Sequence, residues 1–193
     1  TNQDSYLMAE SVGGLKDMHV YGVLDGHGEV GHLVSGHCKE IMCKSLADAN
    51  MNLHRAFRAV QSDVSNRNFD AKCSGATCVL ALVRGKHVQV ANLGDSRGVL
   101  GRVHNGAIVA VALTSDHKPD RPDEQRRILA CGGQVGCRQL VVGHGANGPI
   151  TLPLGPPRIW YRRNQSHGET MGLAMSRSFG DTIVHGLGVS CEP

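Results

Sequence analysis

Apolar positions along the chain change period from segment to segment, and each change predicts an element. Residues 19–24, His-Val-Tyr-Gly-Val-Leu, form a short β-rich run that breaks at Asp25-Gly26-His27-Gly28. Beyond the break Val34, Cys38, Ile41 and Met42 recur at helical spacing, with Lys39, Glu40 and Lys44 between them. Residues 30–47 are therefore read as an amphipathic helix. After the polar break Asp48-Ala49-Asn50, Leu53, Phe57, Val60 and Val64 repeat the pattern in a second helix. Two successive helices with apolar stripes need a broad surface to lie on, such as a sheet face.

The middle of the chain supplies that sheet. Residues 76–83 and 87–93 read as strands joined at Arg84-Gly85-Lys86, a hairpin-length connection with a glycine. Residues 97–102 and 107–113 continue the pattern around Asn105-Gly106, a strong turn signal. Hairpin-length loops imply antiparallel pairing, because parallel neighbours need long crossovers. Residues 123–130 read as a helix closed by Cys131-Gly132-Gly133. From Gly136 to Gly168 the chain is rich in Gly, Pro and Asn with little periodicity, and is expected to be a surface excursion, lid-like in character.

Composition narrows the class. The chain has 193 residues, 40% hydrophobic and 19% charged, enough for one folded domain. Its 20 basic and 17 acidic residues leave a net charge of +3, and the basic residues are scattered, so no nucleic-acid partner is expected. The apolar run over 108–113 is far below the roughly 18 residues that span a bilayer, so no membrane span is expected. Seven widely spaced cysteines form no CxxC pair, which leaves no scaffold for a zinc ribbon or finger. Most lie in apolar segments, where cysteine acts as a small hydrophobe, and a reducing compartment, cytoplasm or nucleus, is expected.

Acidic residues at turns carry the candidate chemistry. Asp25 sits at a strand end among glycines whose backbone can approach a ligand closely. Asp95 lies in Asn92-Leu-Gly-Asp-Ser-Arg97, Asp181 ends Phe179-Gly-Asp181, and Asp4 follows Asn2-Gln3. An Asp-Gly turn alone is unremarkable, but several aspartates at turns beside short strands suit hard divalent ions, Mg²⁺ or Mn²⁺, rather than zinc.

These segments fall in a familiar order. Asn2-Gln-Asp-Ser5, Tyr21-Gly-Val-Leu-Asp-Gly-His-Gly28 and Ser74-Gly-Ala-Thr77 are followed by Ala91-Asn-Leu-Gly-Asp-Ser-Arg97 and Leu113-Thr-Ser-Asp-His-Lys-Pro119. Glu124 to Ile128, then Gly132-Gly133, and last Gly172-Leu-Ala-Met-Ser-Arg-Ser-Phe-Gly-Asp181 complete the series. The series resembles the metal-dependent serine/threonine phosphatases, the PPM or type 2C family, from residue 2 to the end and interrupted mainly over 136–158.

That resemblance implies an α+β fold, a four-layer α-β-β-α sandwich of two antiparallel sheets flanked by antiparallel helices, here incomplete at both ends. It implies hydrolysis of phosphoserine and phosphothreonine on phosphorylated protein substrates by a monomer, with two or more Mg²⁺ or Mn²⁺ ions activating a water. Asp25 matches the aspartate bridging two ions, Gly26 the glycine lending its carbonyl, and Asp4 the acidic residue beside them. His27 matches the general acid that protonates the leaving alcohol. Asp95 matches the aspartate of a third ion, and Asp181 lies in a family motif grouped here with the metal residues. Gln3 stands where many members carry Glu. Two later aspartate motifs and an arginine ahead of Asn2 are missing from these 193 residues. The expectation is a truncated active enzyme, with a catalytically impaired pseudophosphatase acting as a binding module as the alternative.

Other motifs compete for the same residues. Gly26-His-Gly-Glu-Val-Gly31 is a formal GxGxxG, but no second parallel strand ending in an acidic residue follows it. Cys78-Val-Leu-Ala-Leu-Val-Arg84 has the spacing of cysteine-dependent phosphatases, yet its aliphatic interior reads as a buried strand. His27 and His32, five apart, do not share a helix face as an i, i+4 zinc pair would.

Overall fold

The computed structural model describes residues 1–145, 148–162 and 170–193. In chain order the elements are β1 (Ser5–Glu10), a 3-10 turn (Val12–Gly14), β2 (Met18–Leu24), β3 (Gly26–His27), α1 (Gly31–Asp48) and α2 (Leu53–Ser65). Next come β4 (Gly75–Ala76), β5 (Cys78–Arg84), β6 (His87–Leu93), β7 (Val99–His104), β8 (Ala107–Ala112) and α3 (Pro122–Ala130). β9 (Gln134–Gly145), β10 (Gly148–Arg162), β11 (Thr170–Leu173), β12 (Phe179–Gly180) and α4 (Thr182–His185) complete the set. All pairings between these strands are antiparallel, in line with the expected α+β class.

The core is a four-stranded sheet ordered β1-β2-β5-β6 with α1 and α2 on one face. Alternation along β2 turns Met18, Val20 and Leu24 inward and Tyr21 and Val23 outward. Val34, Cys38, Met42 and Leu46 of α1, with Phe57 and Val60 of α2, bury against Val20, Leu24 and Leu80. Each such side chain contributes roughly 1.5–3 kcal/mol by leaving water. The α2 start is fixed by Asn52, whose side chain accepts the Arg55 N–H at 3.0 Å, and Pro122 opens α3. The opposite sheet face exposes Tyr6, Met8, Tyr21 and Val23. A second, smaller core gathers Ile128, Ile159, Tyr161, Leu173, Met175, Val184 and Val189. Among the described residues, no helix is long and apolar enough to cross a membrane.

Several boundaries differ from expectation. The run read as one strand over 76–83 is two: Gly75–Ala76 pairs with β3 and β12, whereas Cys78–Arg84 joins the large sheet, and Thr77 is the crossing point. β1 escaped the pattern because its outward residues, Tyr6 and Met8, are as apolar as its buried Leu7. The Gly136–Gly168 excursion is on the surface but holds a long ribbon, β9 paired with β10. Its mostly exposed positions on both faces leave no alternation to read, and its Pro and Gly residues sit at or near shifts in register. The parts of that stretch at 146–147 and 163–168 lie outside the described residues.

Candidate active site

The site is built where the large sheet frays into a small three-stranded one ordered β12-β4-β3. β2 ends at Leu24, and the chain turns through Asp25 into β3, where Gly26 pairs with Ala76 and His27 with Gly75. Thr77 clamps the turn from both sides: Asp25 N–H donates to Thr77 Oγ1 at 3.1 Å, and Thr77 N–H to the Asp25 carbonyl at 2.9 Å. Ser74 Oγ accepts the Val30 N–H at 3.1 Å, and Gln3 Nε2 donates to the Gly28 carbonyl at 3.0 Å. These bonds hold residues 25–30 against Gln3, Ser74 and Thr77. A Cβ on Gly26 would strike the backbone of Gln3 and Gly31, so only glycine fits there.

Asp4 and Asp25 stand beside one another at the open end of this turn. Partial desolvation, then the charge and hydrogen bond of Asp4, and then Asp95, raise the Asp25 carboxyl above its usual pKa, with His27 opposing. Carboxylates that destabilise one another's charge in this way are relieved by a cation. Asp95 lies near enough for its charge to be felt, and Lys118 Nζ donates to its Oδ2. Asp95 is carried by a loop held from below: Gly94 N–H donates to His117 Nδ1 at 3.2 Å, and His117 N–H returns to the Gly94 carbonyl at 2.9 Å.

The oxygen donors therefore fit a hard divalent cation, with Asp25, Asp4 and the Gly26 carbonyl as the residues that would hold it. Among the described residues, no group of three or more His, Cys, Asp and Glu is arranged to hold a metal ion. The set present is a carboxylate pair with a third carboxylate paired to lysine, which leaves coordination positions to water and substrate.

His27 is held by Asp181. Its Nε2 lies 2.7 Å from Asp181 Oδ2, and Asp181 is 1% exposed. Burial disfavours the charged imidazole, but the hydrogen bond and charge of Asp181, with Asp25 and Asp95, outweigh it and raise the His27 pKa above the usual value. Asp181 Oδ2 also accepts Ser178 Oγ–H at 2.6 Å. Thus Asp4, Asp25, Gly26, His27 and Asp95 share one end of the fold, while Asp181, grouped by sequence with the metal residues, sits behind His27. Sequence reading missed Thr77, Gln3 and Ser74 as the residues that fix the turn. Their only signal was membership of short polar segments, since their partners are far away in the chain.

The rival motifs find no support in the fold. The strand after α1 and α2 pairs antiparallel, so residues 26–31 do not open a dinucleotide-binding βαβ unit. Cys78 is buried in β5 and burial pushes its thiol up to about 12, far from a nucleophile's range. His32 is exposed on α1.

The protein phosphatase 2C family model matches residues 3–193. Probable protein phosphatase 2C 64 of Oryza sativa subsp. japonica is 35% identical over 208 residues, covering 100% of this chain and 45% of that protein. Probable protein phosphatase 2C 35 of Arabidopsis thaliana is 33% identical over 206 residues, with 100% and 58% covered. The chain thus spans about half the length of these curated relatives. Among solved structures, serine-threonine phosphatase 2C from Toxoplasma gondii superposes with a TM-score of 0.77 at 22% identity, over 100% of this chain and 67% of that one. A C. elegans sex determining protein superposes with a TM-score of 0.67 at 21% identity, covering 97% and 43%. With the family model matched across almost every residue, the chain belongs to the protein phosphatase 2C family.

Proposed function

We propose that the complete protein hydrolyses phosphoserine and phosphothreonine on protein substrates with Mg²⁺ or Mn²⁺, as a monomer in a reducing compartment. The observation that carries this reading is the Asp4–Asp25 carboxylate pair at the turn that leads through Gly26 to His27. Bound divalent ions would supply a water of lowered pKa and charge neutralisation for the phosphoryl oxygens. The chain's own work is to hold opposing carboxylates close despite their repulsion, and to fix the backbone of Asp25 through the Thr77 clamp. A serine or threonine alkoxide is a poor leaving group, and His27 protonates it as it departs. Burial raises the thiols of Cys38 and Cys78, away from the range of an activated nucleophile.

The test is phosphate release from a phosphothreonine peptide. Activity disappears in EDTA, returns with Mn²⁺ or Mg²⁺, and survives iodoacetamide. Full activity in chelator overturns the metal-dependent reading. A protein that binds Mn²⁺ and phosphopeptide without turnover would be the binding module instead.

A further inference from the structure

We propose that Asp181 is a positioning residue for His27: it holds the imidazole by Nε2, so that Nδ1 is the nitrogen that passes its proton to the leaving oxygen. The proposal rests on the phosphatase reading above and assigns Asp181 a place outside the metal ligands.

The geometry comes from the small sheet. Gly75 pairs with His27 on one side and with Gly180 on the other, so β4 brings residues 154 apart in sequence onto neighbouring positions. Position 75 has no side chain, and none would fit. A Cβ there would collide with Asp181 Oδ2 and the Phe179 carbonyl, and would lie 2.8 Å from His27 Nε2. The missing side chain is the space in which the two residues meet.

Besides His27, two hydrogen bonds fix Asp181. Its N–H donates to the Ser74 carbonyl at 2.9 Å, and Ser178 Oγ–H donates to Oδ2 at 2.6 Å. Its backbone is left-handed, with φ 45° and ψ 38°, which aspartate and asparagine tolerate better than most residues. A carboxylate buried and braced in this way accepts a hydrogen from Nε2, which fixes the tautomer and ring plane of its partner. His27 Nδ1 is buried and makes no hydrogen bond to any described residue. A buried ring nitrogen without a partner costs free energy, which a substrate oxygen reaching it would recover.

The step balances. As water oxygen bonds to phosphorus, the bond from phosphorus to the serine or threonine oxygen breaks and leaves its electron pair on that oxygen. The Nδ1–H bond breaks, the proton goes to the departing oxygen, and the imidazole is left neutral with Nε2–H still donated to Asp181.

The experiment compares a phosphothreonine peptide with p-nitrophenyl phosphate, whose phenolate leaves without needing a proton, and reads the ratio of the two kcat values in the complete Mn²⁺-loaded protein. His27→Gln lowers that ratio by about 10²-fold. Asp181→Asn, which keeps the left-handed backbone, lowers it at least about tenfold, and the double variant falls no further than His27→Gln. Nitrogen-15 spectra of the metal-free protein at high pH supply a readout independent of turnover. They show the Nε2–H tautomer of His27 in the wild type and a tautomer mixture in Asp181→Asn.

An unchanged ratio in Asp181→Asn, or losses that multiply in the double variant, overturns the proposal alone if His27→Gln still discriminates. If His27→Gln harms both substrates equally, the general-acid reading falls and takes this one with it. Should Asp181→Asn fail to fold, Ser178→Ala decides, because it removes the brace and leaves Asp181 in place. It lowers the ratio if the proposal holds, and a wild-type ratio overturns it.

Discussion

Arg177 reaches across 53 residues of sequence to donate to Glu124 at 2.6 Å, and Glu124 is fully buried. Arg127 donates to the same carboxylate from the other side, at 2.6 and 2.7 Å, and Ser176 Oγ–H adds a further hydrogen bond. Arg127 also caps the carbonyls of Gly188 and Ser176, so α3 is tied to the segment that precedes β12 and to the one that follows α4. Burial alone would raise the Glu124 carboxyl, but these donors hold it well below the usual carboxylate range.

Removing that carboxylate leaves two guanidinium groups partly buried without their counterion. Glu124→Gln is therefore expected to cost about 3–5 kcal/mol of unfolding free energy, the scale of breaking a buried ion pair. Urea unfolding followed by circular dichroism measures it. A loss under 1 kcal/mol would show that the arginines find other partners or water at little cost.

Asp25→Asn separates charge from shape at the candidate metal site. The amide keeps the size of the side chain and the backbone bonds to Thr77, but removes the charge that Asp4 and Asp25 jointly offer a cation. Turnover is expected to fall by at least about 10²-fold, the scale of losing a main electrostatic contribution to the transition state. Mn²⁺ affinity measured by calorimetry falls with it, while thermal stability without metal holds or rises, because a mutual repulsion has been removed. Activity within threefold of wild type would reduce Asp25 to a turn residue.

Much of this arrangement was legible in the sequence, for an identifiable reason. α1 and α2 each bury one stripe, so Val34, Cys38, Phe57 and Val60 recur at the helical period and announce themselves. The turn aspartates stand in short glycine-containing segments whose order carries the family likeness. What stayed hidden depends on partners remote in the chain. Asp181 reads as one more turn aspartate until β4 sets it against His27, 154 residues away. The break at Thr77 was hidden for a different reason: Ala76 and Cys78 are both apolar, so a change of sheet leaves no mark on the hydrophobic pattern.

Gly75→Ala tests whether that juxtaposition tolerates any bulk. The added methyl would press on backbone at Phe179, which cannot rotate away, and on both partners of the His27–Asp181 pair. Overpacking of this kind typically costs about 1–3 kcal/mol. The expected result is a folded, destabilised protein whose phosphopeptide turnover drops more than its p-nitrophenyl phosphate turnover. Unchanged stability and an unchanged turnover ratio together would show that β3 and β12 can separate without consequence.

His117 makes a contribution of definite sign to the pH dependence. It is 6% exposed, and its Nδ1 accepts the Gly94 N–H, so the folded protein needs the neutral ring. Burial first, then the positive charge of Arg177, depresses its pKa from 6.5 to about 4. In the unfolded chain the ring takes a proton near pH 6.5, whereas the folded one resists until about pH 4. The unfolded state therefore binds more protons between those values, and stability falls as the pH drops through them. At about 1.4 kcal/mol per unit the loss over the full interval is on the order of 3 kcal/mol. Glu124 contributes nothing to the slope in most of this range, because its folded pKa is depressed and its unfolded one lies near 4.5. His117→Asn keeps a side-chain acceptor near the Gly94 N–H and removes the titration. Urea unfolding of both proteins from pH 7 to 4.5 should show the wild type losing about 2–3 kcal/mol more than the variant. Parallel stability curves would mean that His117 is protonated in the folded protein as readily as in the unfolded one, and that the loop carrying Asp95 is held by other contacts.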